Sequence, residues 1–267
     1  KVGNNSCYLA AYYDKGRFAP ISYPFTINKE KNVITKRIPL KDSVMQDAVL
    51  KRKYPFFMQY AAKEILKRIP GGKLQVANRP DFSDAVNLHT FDSIETMGYQ
   101  VVELERPVRK RYFRYLSPPG SFVYVAEINI YDAKTNKIIG EVIGTEGSYN
   151  HDKKYEKTAV FDGDPFTYFD APKPSGCWVG LSFGREVEIS KIALLPVNDD
   201  NHIVENELYE LFYFDRKWVS LGQRTGDPNF CLHYNNVPKN SLLLLKNHTK
   251  GKEERIFTYE NGKQVWW

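Results

Sequence analysis

Thr158-Ala-Val-Phe-Asp-Gly-Asp-Pro-Phe-Thr-Tyr-Phe169 sets two carboxylates and a hydroxyl around a glycine turn, and apolar segments of strand character follow it at once. Gly163 permits the backbone angles of a tight loop, so Asp162 and Asp164 can present side-chain oxygens one position apart, and Thr167 adds another. Hard oxygen donors in this pattern suit a cation of the calcium type. The same residues also suit a turn whose aspartates hydrogen-bond their own backbone. Spacing alone leaves both open.

Outward from this loop the chain reads as strands separated by turn residues. Downstream come Cys177-Trp-Val-Gly-Leu-Ser-Phe183, Val187 to Leu195, Glu207-Leu-Tyr-Glu-Leu-Phe-Tyr-Phe214, Lys217-Trp-Val-Ser-Leu221 and Ser241-Leu-Leu-Leu-Leu-Lys246. Short strands at this interval predict an all-β sandwich or jelly roll. The C-terminus reads as a strand to Tyr259, an Asn261-Gly262 hairpin turn and a short return strand.

The order of these motifs resembles the discoidin-like module, the coagulation factor five/eight type C family of galactose-binding-like jelly rolls. Asp162-Gly-Asp-Pro-Phe-Thr167 leads to Trp178-Val-Gly-Leu181, then to Ile189-Ser-Lys-Ile192, then to Tyr209-Glu-Leu-Phe-Tyr213 and Trp218. The resemblance covers residues 138–259. A second copy of its later half is visible upstream. Gly72 to Leu88 parallels Tyr209 to Leu221, and Arg111-Tyr-Phe-Arg-Tyr-Leu116 with Val125-Ala-Glu-Ile-Asn-Ile-Tyr131 parallels the closing strands. The expectation is therefore a tandem β-sandwich. Its N-terminal sandwich, 1–134, is degenerate and carries an extra β-hairpin at the Asp14-Lys-Gly16 turn; its C-terminal discoidin-like sandwich is 135–267.

One helix is expected near residues 55–69. Phe57, Ala61, Ile65 and Ile69 repeat every four residues on one stripe, Pro55 opens it, and Pro70-Gly-Gly72 ends it. A core-facing stripe explains this pattern better than a partner-binding one.

The resemblance implies a structural calcium ion (Ca2+) with oxygen ligands from Asp162, Asp164 and Thr167 and a glutamate near the end of the module, for which Glu254 is the candidate. Glu127, in the upstream Ala-Glu-Ile, matches the family position of that ligand. For a ligand, the loop to examine is Pro196 to Asn206. Galactose-binding relatives place an Arg just after the Pro and an Asn further on; here Val197 replaces the Arg, and Asn201 roughly matches the Asn. Asn198, Asp199, Asp200, Asn201 and His202 make a dense polar loop able to hold sugar hydroxyls. The same five residues also fit an ordinary solvated turn.

Other chemistry finds little support. Cys7, Cys177 and Cys231 are an odd, widely spaced set, which argues against a disulfide framework or structural zinc. The five histidines are scattered, without a zinc-binding pair. Cys231 and His233 share strand parity, with no orienting acid evident, so no catalytic residue is assigned. Net charge is +6, but the basic residues are dispersed in short clusters mixed with acids, which fits solvated strand edges better than a nucleic-acid stripe. No apolar run approaches the ~20 residues of a membrane span.

The tail resembles the C-terminal region of exported multidomain proteins of gut Bacteroidetes, some with a transglutaminase-like domain upstream. The function expected from all this is a non-catalytic carbohydrate-binding accessory region of an exported bacterial protein, periplasmic or at the cell surface. Its glycan would be held by loops at one end of the C-terminal sandwich, and its other partners would be domains of the parent chain. The alternative is a structural or protein-docking module with no sugar ligand.

Overall fold

A computed structural model describes residues 7–8, 10–14, 17–20, 25–27, 33–35, 44–54, 59–215, 217–251 and 255–266. Pro55, Phe57 and Glu254 lie outside these residues. The chain is all-β, with antiparallel sheets and, among the described residues, one short α-helix, Gln59–Leu66. No helix among the described residues is long and apolar enough to cross a membrane.

The chain divides into two compact units, Phe56–His202 and a unit built from Lys1–Pro55 with Ile203–Trp267. The expected boundary at 134/135 is instead a turn inside the first of these. Asp132 Oδ1 accepts the amides of Lys134 and Asn136 there, at 2.8 and 2.9 Å. The physical reason is strand pairing: Val123–Tyr131 and Gln100–Leu116 flank Trp178–Pro196 on its two sides, so the halves expected in different sandwiches share one sheet.

In the 56–202 unit that sheet has seven strands. Phe169–Asp170, Val123–Tyr131, Trp178–Pro196, Gln100–Leu116, Lys73–Ala77 and Val86–Thr90 follow in that order, and Glu141–Gly144 adds to Trp178–Pro196. The core is one cluster that includes Leu74, Val76, Phe113, Tyr115, Ile128, Val160, Val179 and Ile192. Alternation along a strand places every second residue inside, and β-bulges reset that count. Val123 and Val125 point inward, the register shifts between Val125 and Glu127, and Ile128 and Ile130 then take over. A second shift, between Ile189 and Lys191, moves the inward set from Ile189 to Ile192 and Leu194. An extra residue at each bulge bends the strand and re-aims its neighbours. The helix ends at Leu66, three residues before the expected Ile69; the chain leaves it through a turn in which Arg68 N–H donates to the Ile65 carbonyl and Gly72 N–H to the Ile69 carbonyl, both at 2.9 Å, with Gly71 at φ 87°. Leu66 and Ile69 pack on the core.

The other unit pairs Lys217–Thr225, Leu208–Asp215, Leu243–Asn247, Ile256–Glu260 and Lys263–Trp266 in one five-stranded sheet, and Leu232–Pro238 with Met45–Leu50 in a two-stranded one. Strict alternation sets Tyr209 and Leu211, Leu243 and Leu245, Phe257 and Tyr259 on the buried side of the large sheet. They meet Leu232 and Tyr234, Ala48 and Leu50 from the small one. The Asn261-Gly262 hairpin is present, with Glu260 opposite Lys263 and both turn residues at positive φ, 50° and 78°.

Candidate functional site

The aspartate-glycine loop forms after a short 3-10 helix, Lys157–Phe161, and meets the Val123–Tyr131 strand at its second bulge. Glu127, 2% exposed, is turned inward there, and its Oε1 accepts the Gly163 amide at 2.8 Å. Burial is the main cause that holds the Glu127 carboxyl up at about 8, opposed by Lys137 and the Gly163 amide and aided by the neighbouring Asp162. Two carboxyls are thus held together in a partly dry place, where one keeps its proton unless a cation replaces it. Asp162 Oδ1 accepts the Asp164 amide, and its Oδ2 accepts the Thr167 hydroxyl, both at 2.8 Å. Asp164 is exposed and turns back to its own loop, Oδ1 accepting the Phe166 amide at 2.9 Å.

Among the described residues no three His, Cys, Asp or Glu side chains gather as a metal cluster. Glu127, Asp162 and Thr167 nevertheless supply two carboxylates and a hydroxyl, and an all-oxygen set of that kind fits calcium. Glu254, the glutamate candidate from the sequence, lies outside the described residues, and the glutamate beside this loop is Glu127.

The polar loop 198–202 faces inward. Asn198 Nδ2 donates to the Pro165 and Pro196 carbonyls at 2.9 and 3.2 Å, and its Oδ1 accepts the Asp200 amide at 2.9 Å. Asp199 Oδ1 accepts the Asn201 amide at 3.2 Å. Asp200 and Asn201 are each 8% exposed and His202 2%, its ring edge-on to Tyr99 at 5.6 Å. Asn198 and Asp199 thus spend side-chain oxygens on the backbone of their own loop, while Asp200, Asn201 and His202 are its buried members.

A cluster that no sequence motif marks lies beside the aspartate-glycine loop. Tyr124 and Tyr168 stack at 6.2 Å with planes 16° apart, Tyr155 leans on Tyr168 at 4.8 Å, and Phe122 meets Tyr124 and Tyr149 edge-on. Arg68 lies over the Tyr124 ring at 5.2 Å while donating to the Gly120 carbonyl, and Lys154 lies over Tyr155 at 4.6 Å. Tyr149 and Phe166 are more than half exposed. Backbone geometry puts the rings here: Val123 and Tyr124 sit at φ 76° and 54° next to the strand's first bulge, between Val123 and Val125. A β-branched residue at such an angle is a steric outlier, and outliers of this kind gather at functional sites.

Asp170 sits among these rings. Its carbonyl accepts the Tyr149 amide at 2.9 Å, and burial raises its carboxyl. Burial first and the Asp170 charge second push the Tyr124 phenol up; at Tyr168, burial is followed by Tyr155, Asp170 and Tyr124. Among the described residues the Asp170 carboxylate has no hydrogen-bond or ion-pair partner, and the hydroxyls of Tyr124, Tyr149 and Tyr168 bond to no protein group. One signal was available in the sequence, the run Phe122-Val-Tyr124 facing Tyr168-Phe-Asp170, but only the pairing of these two segments makes it a site.

Cys231 lies in the other unit. Burial and then the Asp227 charge push its thiol up, the opposite of activation. Its Sγ donates to the Asn229 carbonyl at 3.3 Å, while His233 Nε2 lies 3.0 Å from Asp227 Oδ2.

Comparison with known proteins gives no match: no protein-family model, no curated protein and no solved structure matches this chain.

Proposed function

We propose that the chain is a non-catalytic carbohydrate-binding region of an exported protein and that the tyrosine cluster at the end of the 56–202 unit is its sugar site. The observation that carries this reading is a part-exposed aromatic surface, Tyr124 stacked on Tyr168 with Tyr155, Phe122 and Tyr149 around them, near enough to the Asp170 carboxylate to feel its charge. Groups of this kind are satisfied by a ligand that offers both hydroxyls and C–H faces, which describes a pyranose. Calcium at Glu127, Asp162 and Thr167 would brace the loop that delivers Tyr168 and Asp170. It supplies charge compensation there, and the protein's part is to aim the rings.

Glycan binding by the full chain, measured by calorimetry across neutral, amino and acidic oligosaccharides, tests the reading. One class binds, and Tyr168→Ala weakens it about five- to a hundredfold, the range of a ring-stacking contact of about 1–3 kcal/mol. Silence across all classes refutes it. The inward-turned loop 198–202 favours the second reading, a structural or protein-docking module, and silence would leave that one standing.

A further inference from the structure

We propose that the sugar bound at the tyrosine cluster carries a free ammonium group, as an unacylated amino sugar does, and that Asp170 is its partner. This rests on the reading of the cluster as a sugar site.

The argument is one of unpaired charge. Two cations border the cluster, and both are engaged. Arg68 donates to the Gly120 carbonyl at 3.2 Å and covers one face of Tyr124. Lys154 covers Tyr155 and lies 3.7 Å from Asp152 Oδ2. Of the charged groups at the cluster, Asp170 is the one with no hydrogen-bond or ion-pair partner among the described residues, and it is half-buried. A ligand settling on the rings takes the remaining water from that carboxylate, and a desolvated charge must be compensated. An acidic sugar would bring a like charge. A neutral one offers hydroxyl donors, whereas an ammonium offers a donor and the opposite charge together, and phenol rings stabilise a cation further through their faces. The Tyr149 amide donates to the Asp170 carbonyl at 2.9 Å, so the backbone holds the two residues next to each other.

The test is calorimetry on the full chain with glucosamine oligomers, their N-acetylated counterparts, neutral glucose oligomers and galacturonate oligomers as probes. Glucosamine oligomers bind roughly ten- to a hundredfold tighter than the N-acetylated and neutral ones, the range of one charge-assisted hydrogen bond. Asp170→Asn, close to isosteric, removes that advantage, so that amino oligomers bind the variant no tighter than neutral ones do, and added salt narrows the gap in the wild type. Equal affinity for amino and neutral oligomers, or preference for galacturonate, overturns the ammonium assignment while the sugar site survives. A preference for amino oligomers that persists in Asp170→Asn also overturns it. Failure of every class overturns both readings.

Discussion

Glu127→Gln removes a carboxyl that the fold keeps protonated well above its ordinary value of 4.5. Between about pH 4.5 and about pH 8 the folded protein holds a proton that the unfolded chain has already released, so this group's contribution to stability falls as pH rises through that window. In chelator, the melting temperature of the wild-type protein therefore drops by several degrees from pH 5 to pH 8, a slope that thermal unfolding reads directly. Glu127→Gln flattens it. Millimolar calcium also flattens it in the wild type, because the ion does the proton's work, and does nothing in the variant beyond its effect on other groups. A wild-type slope equal to the variant's would show that Glu127 and Asp162 are not held together in solution.

At the scale of elements, the two long strands are joined most closely at Gly180. A Cβ there would stand 1.9 Å from the Phe113 carbonyl oxygen and 2.8 Å from the Arg114 Cα. Both obstacles are backbone, so neither can rotate aside, and Gly180→Ala costs about 3 kcal/mol or more in urea unfolding. Alternation of apolar and polar residues made most strands legible, and the Asn261-Gly262 turn announced its own hairpin. What alternation cannot show is a bulge. Val125 and Ile128 differ in strand parity, so alternation alone cannot bury both, and only the bulge between Val125 and Glu127 lets Val125, Glu127 and Ile128 all be buried. Pairing is the other hidden term: similar strand sequences fit a second copy as well as a neighbour in the same sheet. That is why Val125 to Tyr131 read as the end of one sandwich and the aspartate-glycine loop as the start of another. The tyrosine cluster was hidden for the same reason, since its rings come from four separated stretches and a chain with 18 tyrosines gives no sign of which ones meet.

Across the whole molecule, one compact unit is a single continuous stretch and the other is two pieces that flank it in sequence. The continuous stretch carries its own core and all of the residues at the tyrosine cluster, so a fragment of residues 56–202 unfolds cooperatively on its own and keeps the calcium and sugar responses of the full chain. Calorimetry of that fragment checks this; a broad, non-cooperative transition would count against it. For the interrupted unit the consequence concerns synthesis on the ribosome. Met45–Leu50 waits for its partner strand Leu232–Pro238 until roughly 180 intervening residues, most of them the other unit, have been made, about 9–36 s at typical rates of elongation. During that interval Ala48 and Leu50, fully buried at the end, stand exposed on a nascent chain. Early folding of the inserted stretch shortens the gap between the two edges and so lowers the entropy of closing them, and the order of translation becomes part of how this protein reaches its fold.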